Sequence, residues 1–271
     1  LPAIFGLSGL TLTAEEVKLI RRADPLGFIL FARNIDNPQQ VKGLTDSLKT
    51  LTGRDNLPIL IDQEGGRVAR LVPPHWRVWP PALDFAHAYA QSPERGRAAA
   101  VCNYQALALD LAALGISVNC APVLDVPETG AHDIIGDRAF GAEPAMVAQL
   151  GAALLEGFAL SGVVGVVKHI PGHGRALADS HEALPRVTAS IEALNRDLGP
   201  FKALAHAPMA MTAHIVYDAW DAEQCATLSP KVIGEVIRGQ IGFDGLLMTD
   251  DLDMKALQGP VPLSGQRSLA A

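Results

Sequence analysis

Lys168, His169, His173, Asp179 and His181 fall within fourteen residues, in the run Lys168-His169-Ile170-Pro171-Gly172-His173-Gly174 followed by Asp179-Ser180-His181. Imidazole titrates near neutral pH, and a carboxylate beside it fixes its tautomer and raises its basicity. An Asp179/His181 pair is therefore equipped to give and take a proton. The plainer reading of these two residues is a polar surface loop. The histidines could instead ligate a metal, but their spacing matches neither the helical His pair of zinc hydrolases nor a paired-cysteine site. Pro171, Gly172 and Gly174 interrupt any regular element, so these side chains belong to a loop that can reach over a pocket.

Other ionisable residues stand where apolar runs end. Asp62, Gln63 and Glu64 follow Pro58–Ile61, and Asp125 follows Ser117–Pro122. Lys168 and His169 follow Val163–Val167, His214 follows Ala210–Ala213, and Asp250 and Asp251 follow Leu246–Thr249. A carboxylate held beside a dry core can act as nucleophile or base; alone, Thr249-Asp250-Asp251 would read as a helix N-cap. Asp250, nearer the run, is expected to point into a pocket, with Asp251 left to cap or brace. Asp62 and Arg70, either side of the Gly65-Gly66 turn, suit a hydroxyl-rich ligand, since carboxylates accept and guanidinium groups donate. Arg138, in Gly136-Asp137-Arg138-Ala139-Phe140-Gly141, fits either the same rim or a structural loop.

The elements that must position these groups alternate along the whole chain. Candidate strands are Ala3–Leu7, Gly27–Phe31, Pro58–Asp62, Ser117–Pro122, Val163–His169, Ala210–Ile215 and Gly245–Asp250. Helical patterns cover Ala14–Ala23, Pro38–Leu51, Arg95–Leu114, Pro144–Ser161, Ile191–Ala205 and Pro230–Gln240, whereas Gln258–Gly265 reads as a loop. Several strands are continuously apolar, as expected when both faces are buried. Repeated βα units of this kind give an α/β fold with a parallel sheet, and their number favours a TIM barrel in one domain. In such a barrel the C-terminal strand ends share one rim, so the ionisable residues converge there.

The 271 residues, 49% apolar and 19% charged, can build a sizeable core. Net charge is 22 − 29 = −7, with no basic block; nothing would neutralise a row of phosphates, which excludes nucleic acid and acidic membrane surfaces as expected partners. No apolar run reaches spanning length. Cys102, Cys120 and Cys225 are odd in number and far apart, the pattern of reduced, packed thiols. With no secretory signal pattern at Leu1–Gly6, a cytoplasmic location is expected.

With these residues in hand, the chain resembles glycoside hydrolase family 3, in particular its bacterial β-N-acetylglucosaminidases (β-hexosaminidases). The supporting segments are Asp62-Gln63-Glu64-Gly65-Gly66-Arg67-Val68, Ala121-Pro122-Val123-Leu124-Asp125, Gly136–Gly141, Lys168–Gly174 with Asp179-Ser180-His181, and Thr249-Asp250-Asp251-Leu252-Asp253-Met254. The resemblance implies a (β/α)8 barrel that releases terminal β-linked N-acetylglucosamine with retention of configuration. It assigns Asp250 as nucleophile and His181, oriented by Asp179, as acid/base; Asp62, Arg70, Arg138, Lys168 and His169 would hold the sugar. It implies no cofactor and no metal, a carbohydrate substrate of the N-acetylglucosaminyl-anhydromuramyl sugar or peptide type from cell-wall recycling, and a monomeric chain. An imidazole acid/base already titrates near working pH, where a second carboxyl would need its pKa raised by burial. The family's eighth strand would begin about where this chain stops, at Ser268–Ala271, so only seven barrel strands are expected. Two alternatives stay open at the level of residues. One is a metal-dependent amidohydrolase-like barrel with His169, His173, His181 and Asp250 as ligands; the other is an inactive sugar-binding protein.

Overall fold

The computed structural model describes residues 1–128, 130, 133–176, 184–257 and 261–271. Its strands and helices are β1 (Ile4–Gly6), α1 (Ala14–Ala23), β2 (Gly27–Leu30), α2 (Pro38–Thr52), β3 (Ile59–Ile61), α3 (Ala82–Gln91), α4 (Pro93–Ala113), β4 (Val118–Asn119), α5 (Pro144–Ala159), β5 (Val164–Ile170), β6 (Arg186–Val187), α6 (Ile191–Asp197), α7 (Gly199–Ala203), β7 (Met209–Thr212), β8 (Val216–Tyr217), β9 (Leu246–Thr249) and α8 (Val261–Ala270), with a π-helical segment at Val232–Ile241 before β9. Local chemistry sets several starts. The Thr13 hydroxyl accepts from the Glu16 N–H at 3.1 Å while the Glu16 carboxylate accepts from the Thr13 N–H at 2.8 Å, a reciprocal cap on α1.

Seven strands form one parallel sheet in the order β1-β2-β3-β4-β5-β7-β9, the curled sheet of a TIM-type barrel, and all seven fall within the strands expected from the sequence or one residue beyond them. Side chains alternate across a strand with period two. The outward set, including Phe28, Leu30, Ile59, Ile61 and Val167, packs under the helices with Leu48, Tyr104, Leu107, Leu154 and Phe158. The inward set, Leu60, Val118, Cys120, Val166, Met209 and Met211 with Ile29 and Met248 against it, fills the barrel interior. Two residues beyond Leu60, Val166 and Met248 in the same phase stand Asp62, Lys168 and Asp250. Each is thus the ionisable top of an apolar inward row.

The structure departs from the sequence expectations at four places. The helix expected over Ile191–Ala205 is two, α6 and α7, broken at Leu198 where Gly199-Pro200 removes a backbone donor and a side chain. Helix α3 was hidden between the Pro80-Pro81 and Ser92-Pro93 boundaries. The segment read as a loop at Gln258–Gly265 enters α8 from Val261, because Pro262 falls in a first turn that needs no N–H; Gln258 to Pro260 lie outside the described residues. The strand expected over Ala210–Ile215 stops at Thr212, and Val216–Tyr217 pairs instead with Arg186–Val187 as a separate two-stranded ladder.

Candidate active site

Asp62 leaves β3 into a turn that must fold back at once. Gln63 organises it: its Oε1 accepts from the N–H groups of Arg70 and Leu71 at 2.8 and 2.9 Å, and its Nε2 donates to the Leu71 carbonyl at 3.1 Å. Asn119 on β4 holds the Gln63 backbone from the other side, accepting at 3.0 Å and donating at 2.8 Å. Gly65, with φ of 101°, passes so close to the chain that an added Cβ would lie 2.3 Å from the Pro80 carbonyl oxygen. Only glycine fits there. The result returns Arg70 to Asp62, whose Oδ2 accepts from Arg70 Nη2 at 3.3 Å.

The centre of the rim is a buried charge cluster. Lys168 Nζ lies 3.0 Å from Asp62 Oδ1 and 2.7 Å from Glu64 Oε1. Arg138 grips Glu64 with two parallel bonds of 2.8 Å, from Nε and Nη2, and its Nη1 donates to the Ile134 carbonyl at 3.0 Å. The Lys168 and Arg138 side chains are 3% and 9% exposed, so these are charges taken out of water. Burial alone would raise the Glu64 carboxyl, but Lys168 and Arg138 outweigh it and hold it far below the usual carboxylate range. Burial would likewise lower Lys168 and Arg138, yet Glu64 and Asp62 keep both firmly protonated. Arg67 braces the Arg138 loop, its Nε on Asp137 Oδ1 at 2.9 Å and its Nη2 on the carbonyls of Asp133, Ile134 and Ile135 at 2.6 to 3.1 Å.

Asp125, fully buried, ties down the glycine-rich loop. Its Oδ1 accepts from the backbone N–H groups of His169 and His173 at 3.2 and 2.6 Å, and its Oδ2 lies 2.7 Å from His169 Nδ1. Burial would raise its carboxyl, but His169 and the N–H bonds hold it below the usual range, so it stays ionised. An ionised Asp125 only accepts, which puts the proton on Nδ1 of His169 and turns Nε2 towards the cavity. His173 is pushed down to about 4 by burial and by the neighbouring His169, and is neutral at physiological pH. The loop's path is further fixed by Tyr217, whose hydroxyl donates to the Gly172 carbonyl at 2.7 Å, and by Gly174, where a Cβ would come within 1.9 Å of the Val126 carbonyl oxygen.

Asp250 caps its inward row half-buried, and its Oδ1 accepts from the Asp251 N–H at 2.8 Å. Burial would raise its carboxyl, but His169, His214, the Asp251 N–H and Lys168 hold it below the usual carboxylate range. Asp251 braces the following turn, its Oδ1 accepting from the Asp253 N–H at 2.9 Å and its carbonyl from the Met254 N–H at 3.2 Å.

A cavity of about 470 Å³ brings these groups together. Asp62, Arg70, Arg138, Lys168, His169 and Asp250 all line it, so every candidate site residue within the described residues converges there. Asp179 and His181 lie outside the described residues. Sequence reasoning placed Glu64 at a strand end without a role, gave His173 a part only as a metal ligand in the alternative reading, and gave none to Arg67 or to the apolar wall of Phe31, Val68, Ile134, Ile135 and Met254 that also lines the cavity. Glu64 and Asp125 stood in the quoted motifs, but their partners are 74 and 44 residues away. Among the described residues, no group of three or more His, Cys, Asp or Glu side chains is placed to hold a metal ion. The ionised carboxylates and spare N–H donors of this cavity match a ligand rich in hydroxyl groups, with an apolar side for a sugar face or an acyl group.

Residues 6–271 match the model of the glycosyl hydrolase family 3 N-terminal domain. The chain is 39% identical over its whole length to a beta-hexosaminidase of Alkalilimnicola ehrlichii, of which it spans 78%. It is 38% identical over 93% of its length to one from Pseudomonas aeruginosa, of which it spans 73%. Among solved structures, NagZ from Neisseria gonorrhoeae in complex with N-trifluoroacetyl-D-glucosamine superposes with a TM-score of 0.91 at 33% identity, over 99% of this chain and 78% of that one. A family 3 β-N-acetylglucosaminidase from Paenibacillus sp. FPU-7 gives 0.89 at 34% identity, over 98% of this chain and 51% of that one. Fold likeness alone would leave the reaction open, because parallel barrels host many chemistries. Identities of this size along the whole chain remove the amidohydrolase-like alternative: the chain belongs to glycosyl hydrolase family 3, as a carbohydrate-acting β-N-acetylhexosaminidase.

Proposed function

We propose that the chain is a retaining exo-β-N-acetylglucosaminidase in which Asp250 is the nucleophile. The observation that carries this reading is the Asp250 carboxylate, ionised, at the top of an inward row, on the wall of the cavity. A carboxylate so placed can attack the anomeric carbon as the glycosidic bond breaks, leaving a glycosyl ester. His181, which the family resemblance couples to Asp179, gives its proton to the departing oxygen. It then takes one from the water that attacks the same carbon, releasing N-acetylglucosamine as the β-anomer and regenerating Asp250. Asp62, Arg70, Arg138, Lys168 and His169 hold the sugar hydroxyls. Lys168 has three N–H donors and Arg138 five, and the contacts described above engage two and three of them. The substrate we assign is an N-acetylglucosaminyl-anhydromuramyl sugar or peptide from cell-wall recycling, handled in the cytoplasm by a monomer.

The reading is tested by following hydrolysis of an aryl β-N-acetylglucosaminide by proton NMR. The β-anomer of the free sugar is expected first, and a 5-fluoro sugar is expected to label Asp250. First appearance of the α-anomer, or a label elsewhere, would overturn the mechanism; sugar binding without any hydrolysis would favour an inactive binding protein.

Asp125 supplies a second test. In Asp125→Asn the amide offers an N–H where His169 now donates, so the ring proton is expected to move from Nδ1 to Nε2. Losing a hydrogen bond to a charged partner costs about 1.5–3 kcal/mol, so kcat/KM should fall roughly 10- to 150-fold. Nitrogen-15 NMR of labelled histidine reports the tautomer, and an unchanged tautomer with unchanged kcat/KM would remove this role.

A further inference from the structure

His214 is buried, ends an apolar run, and has no part in the reaction as described. Strands β7 and β9 are paired in register with Thr212 opposite Thr249, so two residues further on His214 comes alongside Asp251. There its Nε2 lies 3.0 Å from the Asp251 carbonyl oxygen, and its Nδ1 lies 2.7 Å from Thr227 Oγ1, which is 2.9 Å from Thr212 Oγ1. All three side chains are 1–2% exposed. A carbonyl only accepts, so a ring proton sits on Nε2; the single Thr227 hydroxyl proton is shared between Nδ1 at 2.7 Å and the Ala213 carbonyl at 3.1 Å, and the Thr227 oxygen accepts from Thr212. Burial lowers the His214 pKa against the opposing pull of Asp250, which keeps this neutral tautomer in place. The titratable groups that act on the ring are Asp250, Asp251 and His169.

We propose that His214 is the positioning residue for the nucleophile: by holding the Asp251 carbonyl it aims the Asp251 N–H at Oδ1 of Asp250 and leaves Oδ2 as the oxygen that attacks the sugar. The chain of contacts runs without a gap from the Thr212–Thr227 pair through the imidazole to the Asp251 carbonyl, and from the Asp251 N–H to Asp250 at 2.8 Å. A buried imidazole with both nitrogens committed is a stiff strut, and a nucleophile displaced by about 1 Å loses on the order of a hundredfold in rate. The proposal rests on Asp250 being the nucleophile.

Glutamine and asparagine variants separate positioning from packing, because a glutamine side chain presents its N–H near Nε2 and an asparagine near Nδ1. In the full chain, His214→Ala and His214→Asn are expected to lower kcat and the rate of 5-fluoro-sugar trapping at Asp250 by about 10- to 100-fold. KM should stay within roughly threefold, since the sugar-holding groups are untouched. His214→Gln is expected to recover most of the loss in both rates. Equal behaviour of the Gln and Asn variants, or an unchanged trapping rate in His214→Ala, would overturn the proposal. Should His214→Ala fail to fold, the Gln and Asn pair carries the comparison. Asp250→Asn is run alongside: full turnover in that variant would bring down the nucleophile reading itself, an outcome distinct from failure of the His214 role alone.

Discussion

Asp250→Asn is expected to remove turnover by about four to six orders of magnitude, the scale of losing a covalent nucleophile. The amide keeps the shape and still accepts from the Asp251 N–H, so affinity for N-acetylglucosamine should be nearly unchanged. Folding should be nearly unchanged as well, because the variant loses only the attraction that holds the carboxyl below its usual range. Sign matters for the pH profile. A carboxyl with a lowered pKa is ionised throughout the range above the usual carboxylate value, so any loss of activity between about pH 5 and 6 belongs to another group. Steady-state rates with an aryl glycoside, sugar titrations by calorimetry and thermal melts check the three parts. Turnover within tenfold of the parent would end the assignment.

Glu64→Gln should be the most damaging single change among groups that do no bond-making themselves. It takes the paired carboxylate from buried Arg138 and one of two from buried Lys168, which keeps Asp62 at 3.0 Å, and breaking one partner out of such a cluster costs about 3–5 kcal/mol. For a chain of this size that is a fall in Tm of roughly 6–20 °C. KM should also rise on the order of tenfold or more, because Arg138 loses the fork that aims it into the cavity and Lys168 loses one of its two anchors. The pH dependence has a definite direction. Unfolded, Glu64 titrates near 4.3; folded, it is held far lower. Its contribution is therefore complete above the unfolded value and drains away as pH falls below it towards the folded one. The stability gap between parent and variant, measured by urea unfolding from pH 7 to pH 3, should narrow below about pH 4.3. A gap that is flat or widens over that range would show that the carboxylate does not hold the cluster together.

The parts of this molecule legible in its sequence are those encoded within one strand. An apolar run ending in Asp62, in Lys168 or in Asp250 reports both a buried strand and a reactive tip, because period-two alternation carries the row's phase past the strand end. Seven apolar runs, five of them ending in ionisable residues, located the sheet. What stayed hidden depends on partners brought close only by closure of the fold. Asp62 meets Lys168 across 106 residues, and Glu64 meets Arg138 across 74. Nothing local to Glu64 distinguishes a buried anchor from an exposed acid in a turn. Asp125 was visible as a strand-end acid, but its grip on His169 was not, and His214 was visible without its neighbour Asp251. The break at Leu198 and the helical start at Val261 are not legible because Pro200 and Pro262 lack the clear cap or preceding loop that marks Pro38, Pro144 and Pro230 as first-turn residues.

The inward rows divide this barrel into separately editable tiers. Leu60, Val166 and Met248 form an apolar foundation, while Asp62, Lys168 and Asp250 directly above them present ionisable groups to the cavity. Exchanging a rim residue outside the buried charge cluster leaves the foundation's packing intact, so mutational drift can explore new glycans at the mouth without first sacrificing the scaffold. Inserting or deleting one residue within β9 does the reverse, since it would swing Asp250 through half a turn to face the helices and silence the enzyme with scarcely a change in composition.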